Sequence, residues 1–168
     1  MQEKITMSFN NYTFKLTVSI TEDKVDVCIL CIGECSLPLN TCLLSIQLER
    51  KKQHVTMTDF YHTALHDGKG ASGVSPKLKG AIYAVLCLLL SESLQKGMVK
   101  QNDQIVVLTN KEQLDNPMVE HFYEKIGFTY DPTIQRFRGS VQQVYGVCQA
   151  NAANISQELI SVLNSFFY

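Results

Sequence analysis

Residues 116–128 read NPMVEHFYEKIGF, and this stretch decides how the rest of the chain is arranged. Met118, Val119, Phe122, Tyr123 and Ile126 recur at spacings of three and four, the stripe of a helix that lays one face on a core. Asn116 suits the cap ahead of the first turn, Pro117 the first helical position and Gly127 the left-handed residue past the last turn. The apolar run 105–108 precedes this helix and Phe128-Thr129-Tyr130 follows it. The pattern therefore predicts strand, helix and strand with short joints, a βαβ-like unit.

Working outward, residues 5–48 carry the pattern of β-structure. Phe14, Leu16, Val18 and Ile20 alternate with polar residues, and Thr21-Glu22-Asp23-Lys24 reads as a turn before a strand over 25–32. An antiparallel meander is expected, continued by strands over 43–48 and 54–60 joined by the polar tetrad Arg50-Lys51-Lys52-Gln53. Residues 61–73 break the pattern with His62, His66 and three glycines. Gly68, Gly70 and Gly73 spell GxGxxG, but no apolar strand leads straight into them, so the segment reads as a mobile loop rather than a dinucleotide fingerprint. A long buried helix follows from VSPKLKGAIYAVLCLLL at 74–90, with Ser75 as cap, Pro76 in its first turn and Gly97 closing it. Past the opening stretch, the alternation of Phe137, Val141, Tyr145 and Val147 predicts a last strand over 137–147. Ile155, Leu159, Val162, Leu163, Phe166 and Phe167 predict an amphipathic helix over 154–167. That helix packs on its own domain or on a second subunit, the latter making a homodimer.

The 168 residues suit one domain spanning 1–168, long enough to bury a single core. An apolar content of 45%, a charged content of 18% and a net charge of −1 give no electrostatic footprint for nucleic acid or an anionic membrane. A small-molecule or protein partner is expected instead. The N-terminal residues lack the apolar core of a signal peptide, and the longest apolar run, 81–90, is about half the length a membrane span needs, so a cytoplasmic location is expected. Cys28, Cys31, Cys35 and Cys42 raise the question of zinc, but only Cys28 and Cys31 have knuckle spacing. In a strand over 25–32 those two point to opposite faces, so buried free thiols are the expectation.

The stretch 116–128 resembles the second acetyl-CoA signature of the GNAT family of N-acetyltransferases, in which an asparagine is followed seven residues later by a tyrosine in a phrase close to FYEKxGF. Asn116, Phe122, Tyr123, Glu124, Lys125, Gly127 and Phe128 stand where that pattern has them. The stretch 74–90 resembles the first signature, in which Val-x-Pro leads into a glycine-rich helix start. Val74, Pro76, Lys79, Gly80 and Ala84 match or nearly match, and Ile82 replaces the middle glycine. The two lie in the family's order, and the likeness covers about residues 43–130.

The resemblance implies an α+β fold: a mixed, mostly antiparallel central sheet flanked by helices, to which this chain adds its C-terminal amphipathic helix. It implies transfer of an acetyl group from acetyl-CoA to a primary amine, on a small molecule or a peptide, by direct attack on the thioester between two splayed central strands. The cofactor-binding positions it implies are Val74, Lys79, Gly80, Ala81, Ile82, Tyr83, Ala84 and Asn116, where helix N–H groups meet the pyrophosphate. It makes Tyr123 the general acid that protonates the departing thiolate. The base is fixed by no motif. Asp59, on the strand leading to the site, is preferred, and Glu49, His62 and His121 are the alternatives. A second reading keeps the fold without the chemistry, as a CoA-binding or protein-interaction module, and Ile82 and the inserted 62–73 loop point toward it.

Overall fold

The computed structural model describes residues 2–9, 12–33, 41–61, 81–108 and 117–152. Its strands are β1 (Gln2–Phe9), β2 (Tyr12–Ile20), β3 (Lys24–Gly33), β4 (Thr41–Arg50) and β5 (Val55–Tyr61), then β6 (Gln104–Val107), β7 (Thr129–Asp131) and β8 (Arg136–Ser140). Its described helices are α1 (Ala81–Gln95), α2 (Pro117–Ile126) and α3 (Val141–Ala152). The strands form one mixed, mostly antiparallel sheet in the order β1-β2-β3-β4-β5-β6-β8-β7, so the chain is α+β.

The first five strands are the expected meander, each pairing antiparallel with the next. The turn at 21–24 closes as its polar residues require: the Thr21 N–H bonds the Lys24 carbonyl at 2.8 Å, and the Thr21 hydroxyl reaches Asp23 Oδ1 at 3.1 Å. Cross-strand register carries one apolar row through the sheet. Val25, Val27 and Ile29 lie opposite Leu48, Ile46 and Leu44, which lie opposite Met57, Asp59 and Tyr61. Every apolar member of that row from Val25 to Met57 is buried, whereas Thr17, Asp26, Gln47 and Thr58 on the other face are half-buried or exposed. Among the described residues, period-two alternation has thus produced a sheet with one helix-covered face and one face left largely open, buried Thr56 apart.

All three described helices cover the apolar face. Ser93 and Met98, near and beyond the end of α1, line one cavity together with Ile20 and Val25 of the sheet. Tyr123 of α2 stacks on Phe137, and Val144 of α3 approaches Gly139. Burying Phe122 and Phe137, each at 2% exposure or less, contributes roughly 2–3 kcal/mol per ring. The glycine stops act as read: Gly97 has φ 72° and Gly127 φ 105°, conformations that favour a residue without Cβ.

Two expectations are corrected. The strand predicted over 137–147 ends at Ser140, and Val141–Ala152 is a helix. Ser140 caps it, its hydroxyl accepting the Gln143 N–H at 3.1 Å, and Val141, Val144 and Cys148 bury at helical spacing. The unit around α2 is a split βαβ, because β8 lies between β6 and β7 and pairs antiparallel with both. The helix expected over 154–167, the loop at 62–73 and the start of the helix at 74–80 lie outside the described residues.

Candidate active site

Among the described residues the sheet has one parallel pair, β5 with β6, and the candidate site stands past its last described rung. Rungs join Val55 to Ile105, Thr56 to Val106 and Met57 to Val107, and the Leu108 N–H adds one last bond to the Met57 carbonyl at 2.8 Å. β6 then ends, while β5 runs on to Tyr61 with only β4 beside it among the described residues. Since α1 connects two parallel neighbours, its N-terminal end lies at the same end of the sheet as the last residues of β5.

Asp59 stands on this overhang. Register sets it opposite Ile46, so its side chain belongs to the helix-covered row. Tyr123 comes from α2, whose Gly127 stop lets the Phe128 N–H fold back onto the Tyr123 carbonyl at 3.0 Å. The Tyr123 ring packs on Phe137 with centroids 5.0 Å apart, and edge-on against Phe122 at 5.1 Å and Phe128 at 6.1 Å. Phe137 is on β8, one strand beyond β6, while the Tyr123 hydroxyl donates to Asp59 Oδ1 on β5 at 2.7 Å. The tyrosine therefore lies across the end of β6, anchored on both sides of it.

The electrostatics of the pair are unequal. Burial pushes the Asp59 carboxyl from 3.8 up to about 6, although the Tyr123 hydroxyl and the residue's own N–H both favour its charged form. Among the described residues no cation pairs with it. A carboxyl in that range exchanges protons near neutral pH, and a phenol bonded to it is positioned to receive or deliver one.

The residues nominated as acid and base, 64 positions apart in sequence, are thus hydrogen-bonded to each other. The other base candidates fall elsewhere. Glu49 lies on the open face and takes a bond from Lys51 Nζ at 2.8 Å, His121 is exposed on α2, and His62 is outside the described residues. Of the implied cofactor-binding positions, Ala81, Ile82, Tyr83 and Ala84 begin the described part of α1. Ala84 is buried, and Tyr83 is half-buried against the core with its phenol pushed up by burial and by nearby Cys148. Val74, Lys79, Gly80 and Asn116 lie outside the described residues. Sequence reasoning missed Phe137 as the platform under Tyr123; its only signal was an apolar position in a short alternating strand. No described helix is long and apolar enough to cross a membrane. Comparison with family models, curated proteins and solved structures finds no match to this chain.

Proposed function

We propose that the chain is a GNAT-like N-acetyltransferase that moves an acetyl group from acetyl-CoA to a primary amine. The observation that carries this reading is the 2.7 Å bond between Tyr123 and Asp59, past the last described rung of the parallel strand pair. Beyond Met57 the β6-side edge of β5 has no strand partner among the described residues, which fits an extended donor carrying amide groups, and the described part of α1, beginning with Ala81, Ile82, Tyr83 and Ala84, starts at the same end. Val74, Lys79, Gly80 and Asn116 complete the donor site by resemblance. Acetyl-CoA supplies the activated acyl group.

What the chain's own residues do follows from their protonation. Asp59, ionised above about pH 6, takes a proton from the attacking nitrogen. Tyr123 gives its proton to the departing sulfur and recovers one from Asp59 through their shared bond, so the dyad ends with the protons it began with. Phe137, Phe122 and Phe128 hold the ring and keep water from it. Titrating the protein calorimetrically with acetyl-CoA and then screening amines for thiol release tests the reading. Acyl transfer by the wild type that collapses in Asp59→Asn supports it, and absence of acetyl-CoA binding removes it.

One observation favours a second reading. The Tyr123 hydroxyl is already engaged and the residue is only 4% exposed, which suits a dyad that bolts α2 to the sheet in a CoA-binding or protein-interaction module. Such a module binds CoA or a protein partner, and Asp59→Asn leaves that binding unchanged.

A further inference from the structure

A second pair of reactive side chains lies on the open face of the sheet, away from the site just described. Cys28 of β3 and Cys42 of β4 have their Sγ atoms 3.9 Å apart, and both residues are half-buried thiols. A register shift creates this neighbourhood. Ile29 lies opposite Leu44, but the next residue, Leu30, lies opposite Cys42, leaving Leu43 as an extra residue in β4. Simple alternation from Leu44 would turn Cys42 to the helix-covered face. The bulge turns it to the face that Cys28 occupies with Thr17 and Ser45.

We propose that Cys28 and Cys42 form a modification site: a cross-strand dithiol that small-molecule disulfides close into a reversible bridge between β3 and β4. Closure needs the sulfurs to approach from 3.9 Å to about 2 Å, within reach of side-chain rotation for cross-strand neighbours. One cysteine sulfur attacks a sulfur of the incoming disulfide, forming a mixed disulfide and expelling one small thiolate. The second cysteine then attacks the protein-bound sulfur and expels the other. The two protons lost by the cysteines end on the two released thiols, and the protein pair is oxidised by two electrons while the reagent is reduced by two. Burial and the neighbouring Cys42 push the Cys28 thiol up to about 11, which makes its attack on an incoming disulfide slow at neutral pH. The 14-residue span between the cysteines makes the bridge a constraint on the unfolded chain.

The test incubates the full chain with oxidised glutathione, alkylates the remaining thiols and maps the peptides. The expected result is a Cys28–Cys42 linked peptide lacking two hydrogens. The thermal midpoint is expected to rise by roughly 5–10 °C and to return on reduction. Neither Cys28→Ser nor Cys42→Ser is expected to show that rise. Glutathione retained on either cysteine without a bridge, or a bridge from Cys28 to Cys31 or Cys35 instead, overturns the proposal, and both outcomes are read on the wild-type chain without relying on a variant.

Discussion

Asp59 and Asp103 stand at opposite ends of the β5/β6 pair, and their surroundings are opposite as well. Asp103 precedes β6 in a turn that gives its carboxylate what a charge requires. Against a burial penalty, the Lys100 N–H and the Arg50 guanidinium hold it below its ordinary range, with Arg50 Nη1 and the Lys100 amide both bonded to Oδ2. The same turn accepts the first amides of α3, Val141 N–H on the Asp103 carbonyl and Gln142 N–H on that of Gln101, each at 2.9 Å. Asp59 has a phenol, its own N–H and no cation among the described residues, and it is pushed up. One end of the parallel pair stabilises the fold, and the other holds a carboxyl at a cost the fold has to bear, the pattern expected of a group retained for chemistry.

Replacing Asp59 gives the largest expected effect and separates the two roles. Asp59→Asn is expected to lower acetyl transfer by roughly 100- to 1,000-fold. A carboxyl raised in the folded state lends its stability below pH 3.8 and loses it as pH climbs through about 6, so the ionised group costs on the order of 2–3 kcal/mol at neutral pH. The Asn variant should therefore be more stable than wild type at pH 8 and lack the decline between pH 4 and 6, as denaturant melts across pH would show. A variant less stable at pH 8 would make Asp59 an ordinary structural residue. Tyr123→Phe comes next, with a roughly 100-fold slower rate and a stability loss of about 1 kcal/mol. Losing one donor should also move the Asp59 carboxyl further up, which carboxyl NMR titration would detect.

At the other end, Asp103→Asn should cost about 1–3 kcal/mol at pH 7 and leave the rate untouched. Because Asp103 is held low, its contribution is present above the ordinary carboxylate range and lost as pH falls through its folded value, the reverse of Asp59. A rate change in Asp103→Asn would blur the division between the two ends. The smallest effect belongs to Ser140→Ala, which removes the α3 cap for about 1 kcal/mol with no kinetic consequence.

Much of this comparison was visible in the residues. The meander, the α2 stripe and the stops at Gly97 and Gly127 are local patterns whose energetics sit within a few residues of one another, and they appear as expected. Asp59 and Tyr123 stand out in the sequence as candidate base and acid, but their bond depends on where β6 ends and on Phe137 as a platform, neither of which is a local property. The β8–α3 boundary differs from the expected strand because Phe137, Val141 and Tyr145 repeat every four residues, which strand and helix both permit, while the Ser140 cap decides the matter. The insertion of β8 between β6 and β7 and the bulge at Leu43 are choices of pairing partner, on which single-residue preferences are silent.

The strand order also has a consequence in time. From β1 to β5 each strand pairs with its successor, so this half can zip as hairpins that individually form in about 1–10 μs. Pairing β6 to β5 spans the whole α1 crossover, and the β6-β8-β7 order requires a further rearrangement of sequence neighbours. Contacts of long sequence separation bring loop-closure entropy that slows their formation. The Asp59–Tyr123 bond belongs to this slow half, so a folding chain completes its candidate site after its scaffold. Pulse-labelled hydrogen exchange should find β2, β3 and β4 amides protected before those of β6, and simultaneous protection would mean that the two halves condense together.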